Sequence, residues 1–158
     1  MTKTDQNVDL SGYQKILFRL QRDADGYPPN DWETLWGKEL KSGFFQIDNI
    51  PFYVRGISDG DIVAATNQQG EYLFQRVVQP SSNSVMRVIV YEDDAVQPLR
   101  DRLKEFGCST ELSNIQRFFA VDIPATVSIS KIRTLLDEGE QADRWSYEEA
   151  SIRHKSGA

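Results

Sequence analysis

The stretch Asp48-Asn-Ile-Pro-Phe-Tyr-Val-Arg-Gly-Ile-Ser-Asp-Gly-Asp-Ile-Val-Ala-Ala65 carries the best-specified local structure in the sequence. Its first half is a short apolar run, Ile50 to Val54, that contains a proline. Its second half is a turn, Ser58 to Asp61, that leads straight into an apolar strand. Proline fixes φ, glycine permits positive φ, and aspartate side chains bond the local backbone. Backbone geometry explains both halves, so we interpret the stretch as the corner at which a small sheet bends.

Short strands are predicted on both sides of this corner. Aromatic and β-branched residues favour strands in four segments. These are residues 13–21, 44–47, 61–66 and 72–78. Gly70 can take positive φ, which predicts a hairpin between the last two strands. Between the first two, Trp32, Leu35, Trp36 and Leu40 recur at three- and four-residue spacing, which predicts a helix over residues 32–40.

The pattern changes after Pro80-Ser-Ser-Asn-Ser84, a polar segment that we interpret as the boundary between two lobes. The following residues predict alternating strands and helices, namely strand 85–91, helix 95–106, strands 108–112 and 118–123, and a helix from about residue 128 to 138 that Gly139 ends. Residues 145–153 fit a strand or a helix. We favour a strand, because the order is then the βαββαβ of a ferredoxin-like fold.

These elements together predict an α+β protein. Residues 13–80 are expected to form a small curled antiparallel sheet or open barrel with one helix, and residues 85–154 a ferredoxin-like lobe. The two lobes could alternatively form one compact unit. Residues 1–12 are polar and are predicted to be a disordered tail.

Composition narrows the class of protein. The 158 residues carry a formal charge of −6, with a pI of about 4.8, which argues against a general nucleic-acid binder. Cys108 is the only cysteine, so neither an internal disulfide nor a cysteine-based zinc site is expected. The sequence contains no secretory signal and no apolar run that could span a membrane. We therefore expect a cytoplasmic location and no membrane partner.

No residues form a recognisable catalytic or cofactor-binding set. The sole histidine, His154, lies four residues from the end and is predicted to be exposed beside a frayed tail. Neither a nucleophile elbow nor a phosphate-binding glycine loop is present. Asp59 and Asp61 flank Gly60, which is ordinary turn chemistry and lacks the further oxygens of a calcium loop. We expect no enzyme activity, no metal and no cofactor.

Acidic side chains are the remaining candidates for recognition. Runs of carboxylates are typical of solvated strand ends and faces, but they can alternatively form patches for a basic partner. The candidates for such contacts are Asp59, Asp61, Glu92, Asp93, Asp94, Glu148 and Glu149.

A series of motifs from Trp36 to Ala150 resembles a bacterial domain family of unknown function, family 4265. The matching residues are Trp36, Phe44-Phe-Gln-Ile-Asp-Asn-Ile-Pro-Phe52, Gly60-Asp-Ile-Val63, Arg87-Val88, Leu103 to Gly107, Ala120-Val-Asp-Ile-Pro124 and Trp145-Ser-Tyr-Glu-Glu-Ala150. The resemblance to this family implies no catalytic residue. Members of such small, acidic families often lie beside polymorphic toxins, so the resemblance implies an immunity protein.

Three functions follow from these observations. The first is an immunity protein that binds a basic cognate toxin and occludes its active site, with acidic groups speeding association. The second is a small-molecule-binding or regulatory module, by analogy with other ferredoxin-like lobes. The third is an enzyme that uses the Asp59 and Asp61 turn. The absence of a catalytic set favours the first.

Overall fold

Nine β-strands and two α-helices build the part of the chain that the computed structural model describes, residues 12–155. The predicted tail, apart from Gly12, lies outside these residues. The elements are β1 Tyr13–Arg19, β2 Trp32–Lys41, β3 Phe44–Ile47, β4 Ile62–Gln68, β5 Glu71–Gln79, β6 Ser84–Val90, α1 Val96–Glu105, β7 Ser109–Leu112, β8 Phe118–Ile123, α2 Ile129–Gln141 and β9 Trp145–Ser151. The α+β class is therefore confirmed. Neither helix is long and apolar enough to cross a membrane.

The first five strands form a closed barrel in the order of the chain. Neighbouring strands run antiparallel, and a parallel contact between β1 and β5 closes the ring. The predicted hairpin joins β4 to β5, and Gly70 there has a φ of 89°. The barrel is filled by a cluster of buried apolar side chains, Ile16, Phe18, Leu35, Phe45, Ile47, Ile57, Val63 and Ala65.

The predicted helix over residues 32–40 is wrong, because this segment is strand β2. Its burial alternates with period two, and the inward residues are Glu33, Leu35 and Gly37. Of these three only Leu35 is a large apolar residue, so the sequence lacks the alternation of apolar and polar residues that predicts a strand. The helical spacing came instead from side chains such as Trp32, which points outward and is 42% exposed. When a charged residue occupies the buried face of a strand, the spacing of the apolar residues alone no longer indicates a strand.

The remaining strands form a four-stranded sheet in the order β7-β8-β6-β9, with every neighbouring pair antiparallel. Residues 145–151 are the strand β9 that we favoured. Both helices pack on one face of this sheet, where they bury Leu103, Ile132 and Leu136 against Val88 and Val121. Either Ser128 or Ser130 could cap α2 by sequence, and Ser128 does so, because its side chain accepts a hydrogen bond from the amide of Lys131.

Gly139 does not end α2 as predicted. The helix continues to Gln141, and Gly139 is buried within it. A Cβ atom at this position would lie only 1.9 Å from the ring of Trp145. The glycine is therefore explained by the close approach of an aromatic ring, and helix termination is not its role.

Candidate partner-binding site

The segment between β3 and β4, residues 48–61, lies between the barrel and the face of the four-stranded sheet that the helices do not cover. We call this segment the seam. Ile50 is buried there with Val85, Ala120 and Ala150 of the sheet, and Phe52 packs beside them. The amide of Gly56 also donates a hydrogen bond to the carbonyl of Ala150. The stretch interpreted as a corner thus also joins the two regions of the molecule.

Glu33 fixes the middle of the seam from the barrel side. Its side chain is buried, and its two carboxylate oxygens accept hydrogen bonds from three successive backbone amides. The donors are Phe52, Tyr53 and Val54, at 2.6, 3.0 and 2.8 Å. A buried carboxylate is tolerated when such donors satisfy its oxygens. The carboxylate of Glu33 therefore has a structural role and is not available to a partner.

Arg87 fixes the same part of the seam from the sheet side. It lies in the middle of β6 and is 2% exposed. Its guanidinium group donates to the carbonyls of Pro51, Tyr53 and Val54 at 3.1 to 3.2 Å. Its Nε atom also pairs with the carboxylate of Glu148 at 2.9 Å. The five-donor fork of arginine suits this cage of backbone oxygens.

Asp61, a predicted partner-binding residue, is fully buried at the end of the seam. Both of its oxygens bind the guanidinium group of Arg153, at 2.7 and 2.8 Å. They also accept hydrogen bonds from the amides of Ser58 and Ser81. A partner on the surface could not reach this carboxylate, so Asp61 has a structural role. The same burial counts against an enzyme that would use Asp59 and Asp61 together.

Asp59 is half-buried beside a second acidic side chain. Burial, followed by the charge of Asp122, raises the pKa of Asp59 from 3.8 to about 7. Burial likewise raises the pKa of Asp122 to about 6. One oxygen of Asp122, Oδ1, has no hydrogen-bond partner within residues 12–155. Asp59 therefore titrates near neutral pH and is only partly ionised there, which weakens it as a charged contact for a basic partner.

Glu148 and Glu149 are adjacent in β9 but serve two different faces of the sheet. Glu148 pairs with Arg87 and with the exposed Arg55 on the open face. Glu149 pairs with Arg133 of α2 on the helical face, at 2.6 and 3.1 Å. The two predicted candidates therefore do not form one acidic patch, and each is already neutralised within the chain.

Glu92, Asp93 and Asp94 are the predicted candidates that remain fully accessible. They follow β6 and enter a short 3₁₀ turn, Asp93–Ala95. Asp93 accepts hydrogen bonds from Gln116 and Arg117. The side chains of Glu92 and Asp94 have no ion-pair partner among the residues that the structure describes.

Exposed apolar side chains lie in the two chain segments next to these three carboxylates, the end of β6 and the β7–β8 turn. Tyr91 is 44% exposed, and Ile89 and Ile115 are exposed to a similar degree. Ile115 belongs to the same β7–β8 turn as Gln116, the residue that binds Asp93. We call this surface the acidic end. It is defined by Glu92, Asp93, Asp94, Ile89, Tyr91 and Ile115. Protein interfaces combine an apolar core with a polar rim, and this surface offers groups of both kinds.

The prediction that His154 is exposed is wrong, because its side chain is half-buried against the sheet. Its Nε2 atom lies 3.0 Å from the carbonyls of both Pro124 and Val127 and therefore carries a proton. Its Nδ1 atom lies 2.6 Å from the hydroxyl of Ser84. These contacts tie the end of the described chain to β6 and to the loop before α2.

The site contains no arrangement for binding a metal ion. Within residues 12–155, no group of three or more histidine, cysteine, aspartate or glutamate side chains is placed to hold one.

Sequence reasoning missed the residues that organise the seam, Glu33, Arg87 and Arg153. Arg87 did leave a signal, because it is the only charged residue in the apolar strand Ser84–Val90. A charge within a buried strand indicates a partner elsewhere in the fold. Glu33 left no comparable signal, since a helix would have placed it in a solvated first turn.

The comparisons with known proteins agree with this fold. A family model described as "Domain of unknown function (DUF4265)" matches residues 33–147. A hypothetical protein from Neisseria gonorrhoeae has a similar crystal structure, with a TM-score of 0.73 and 22% sequence identity. The similarity covers 87% of this chain and 94% of that one. At this identity the likeness concerns the fold alone. No curated protein matches the chain.

Proposed function

Because this chain belongs to the domain family DUF4265, whose description states no activity, we propose a function from its surface: a cytoplasmic immunity protein that binds a cognate bacterial toxin. The acidic end would contact a basic toxin domain and occlude its active site. The observation that carries the proposal is the exposure of Ile89, Tyr91 and Ile115 in the segments that adjoin Glu92 and Asp94, two carboxylates without an ion-pair partner in residues 12–155. Buried apolar anchors supply affinity, and charges at the rim supply orientation and association rate.

We assign residues 85–154 to a ferredoxin-like lobe and residues 13–80 to a barrel lobe. The strand order β7-β8-β6-β9 with two helices on one face supports the first assignment. In this description the seam holds the barrel against one face of the sheet, while the acidic end remains free for a partner.

Co-expression with the product of a neighbouring toxin gene tests the proposal. We expect the wild-type chain to protect the cells and to co-purify with the toxin. A Glu92→Lys/Asp94→Lys variant should lose both properties, because it reverses two accessible charges. Asp101→Lys/Glu105→Lys on α1 is the matched control, since these residues are exposed acids outside the acidic end. Cell death with the wild-type chain, without a purified complex, would contradict the proposal.

A small-molecule or regulatory role has one observation in its favour. A groove of about 460 Å³ lies between the β1–β2 loop and the seam, lined by Arg19, Tyr27, Pro28, Tyr53 and Arg55 among others. Its lining holds two aromatic rings and two arginines with one carboxylate, Asp23, and this excess of cations suits a planar anionic ligand. A thermal-shift screen against anionic metabolites tests this role. No stabilisation by any of them would count against it.

A further inference from the structure

The outer surface of the barrel carries a feature that the proposed function does not use. On β1 and β2, three cross-strand pairs each place a cation opposite an aromatic ring. In every pair the cation lies over the ring, at 5.5 to 5.7 Å from its centroid. We call this surface the cation–aromatic ladder, and its pairs are Lys38 with Tyr13, Lys15 with Trp36, and Arg19 with Trp32.

The ladder is a local exception to the acidic charge of the protein. The outward positions of the paired segments are residues 13, 15, 17 and 19 on β1 and residues 32, 34, 36 and 38 on β2. They hold three cations and no carboxylate. Burial, followed by the charge of Asp48, raises the pKa of the Tyr13 hydroxyl, so one carboxylate of the seam lies near that end of the ladder. The acidic side chain between them, Glu33, points inward and is bound to the seam. A charge of −6 for the whole chain therefore coexists with a basic face on the barrel.

The ladder is open to a ligand. Lys15, Arg19, Lys38 and Trp32 are exposed, and Trp36 is half-buried. A groove of about 460 Å³ runs along the ladder towards the β4–β5 hairpin. Its lining includes Lys15, Leu17, Thr34, Trp36, Gly70 and Tyr72, with Glu71 as its acidic member. The groove is partly apolar, with Lys15 as its one cation, and Arg19 and Lys38 lie on the ladder outside it. Aromatic rings with cations on the same face suit a ligand that combines planar rings with negative charge.

We propose that the cation–aromatic ladder binds single-stranded nucleic acid. Lys15, Arg19 and Lys38 would contact phosphates, and unpaired bases would stack on Trp32 and Trp36. Exposed aromatic rings beside lysine and arginine are the usual means of binding single strands without sequence preference. An exposed cation–π contact is weaker than the stacking of a base on the same ring, so a base can displace the cation. A duplex hides its base faces and would bind more weakly.

Fluorescence anisotropy with a labelled 12-nucleotide poly-U strand tests this proposal on the full chain. Three neutralised phosphates predict a slope of about −2 for the logarithm of affinity against the logarithm of salt concentration. Affinity should therefore fall about 20-fold between 50 and 200 mM salt. Stacking also predicts quenching of tryptophan fluorescence, in which Trp145 takes no part because it is 3% exposed.

Variants separate stacking from charge. Trp32→Ala should weaken binding by about 5- to 150-fold, and Trp32→Phe should retain most of it. Lys15→Ala/Lys38→Ala should make the salt slope shallower by about 1.4. Lys104→Ala/Lys131→Ala, which removes two exposed lysines on the helices, is the matched control and should bind as the wild type does. Thermal unfolding confirms that each variant is folded.

Two results would overturn the proposal. One is no binding at 50 mM salt. The other is binding that weakens with the lysine variant but is unchanged in folded Trp32→Ala, because stacking would then play no part. The ladder and the acidic end lie on different regions of the molecule. Failure of this experiment would therefore leave the toxin-binding proposal standing, and the reverse also holds.

Discussion

Charged side chains have opposite roles in two regions of this protein, the seam and the cation–aromatic ladder. In the seam and against it, Asp61, Glu33 and Arg87 are buried and are held by backbone groups or by an opposite charge. On the ladder, cations such as Lys15 and Arg19 are exposed and lie over aromatic rings. The environment of a charge, rather than its sign or number, decides whether it stabilises the fold or remains free for a ligand.

Replacing Arg87 should give the largest loss of stability. Arg87→Met removes the charge from the open face of the sheet and leaves three seam carbonyls without their donor. We expect the free energy of unfolding to fall by about 3–5 kcal/mol in urea denaturation. Arg55→Met is the control, because Arg55 pairs with the same Glu148 but its side chain is 63% exposed. This variant should lose no more than about 1 kcal/mol. Equal losses of unfolding free energy in Arg87→Met and Arg55→Met would contradict the distinction between buried and exposed charges.

Glu33→Gln should give a smaller but local effect. Glutamine keeps one acceptor oxygen and presents an NH₂ group to amides that also donate, so at least one seam hydrogen bond is lost. We expect the free energy of unfolding to fall by about 1–3 kcal/mol. Amide hydrogen exchange should also accelerate at Phe52, Tyr53 and Val54. Glu71→Gln on the exposed hairpin is the control. Unchanged exchange at the three amides would show that Glu33 does not hold the seam.

A pH dependence should also arise from two carboxyl groups beside the seam. Burial raises the pKa of Asp59 to about 7 and that of Asp122 to about 6 in the folded chain, from 3.8 when unfolded. Between about pH 4 and 7 the folded state therefore binds more protons than the unfolded state. The stability contributed by these groups is highest at low pH and falls as the pH rises through this window.

Asp59→Asn tests this dependence against the wild type. The variant should gain stability relative to the wild type as the pH rises from 4 to 7 in urea titrations. Asp93→Asn, on the exposed turn, should follow the wild-type curve. A constant difference between Asp59→Asn and the wild type across the window would contradict the pKa assigned to Asp59.

Much of the fold could be predicted from the sequence, because most elements follow local rules. The strand Phe118–Ile123 has the predicted bounds, and the cap at Ser128 and the hairpin at Gly70 follow ordinary propensities. The helix predicted in place of β2 was wrong, because a buried charge interrupted the apolar alternation of the strand. Gly139 was assigned to a helix end, because the ring of Trp145 that requires it comes from another element.

The sites could be predicted less well, because they depend on contacts between distant parts of the chain. Asp61 was proposed as a surface residue, yet its partner Arg153 lies 92 residues away in the sequence. The ladder was hidden for a related reason. Its three pairs exist only when residues 32–41 form a strand beside β1. Exposure also depends on the fold, and it distinguishes Glu92, Asp93 and Asp94 from the other acidic candidates.

The most direct test of this account is a pair of double-mutant cycles on the free energy of unfolding. One cycle combines Asp61→Asn with Arg153→Met in the seam, and the other combines Lys15→Met with Trp36→Leu on the ladder. We predict a coupling energy of about 2–3 kcal/mol for the buried ion pair and below about 1 kcal/mol for the exposed cation–π pair. A ladder coupling that equals or exceeds the seam coupling would contradict the account.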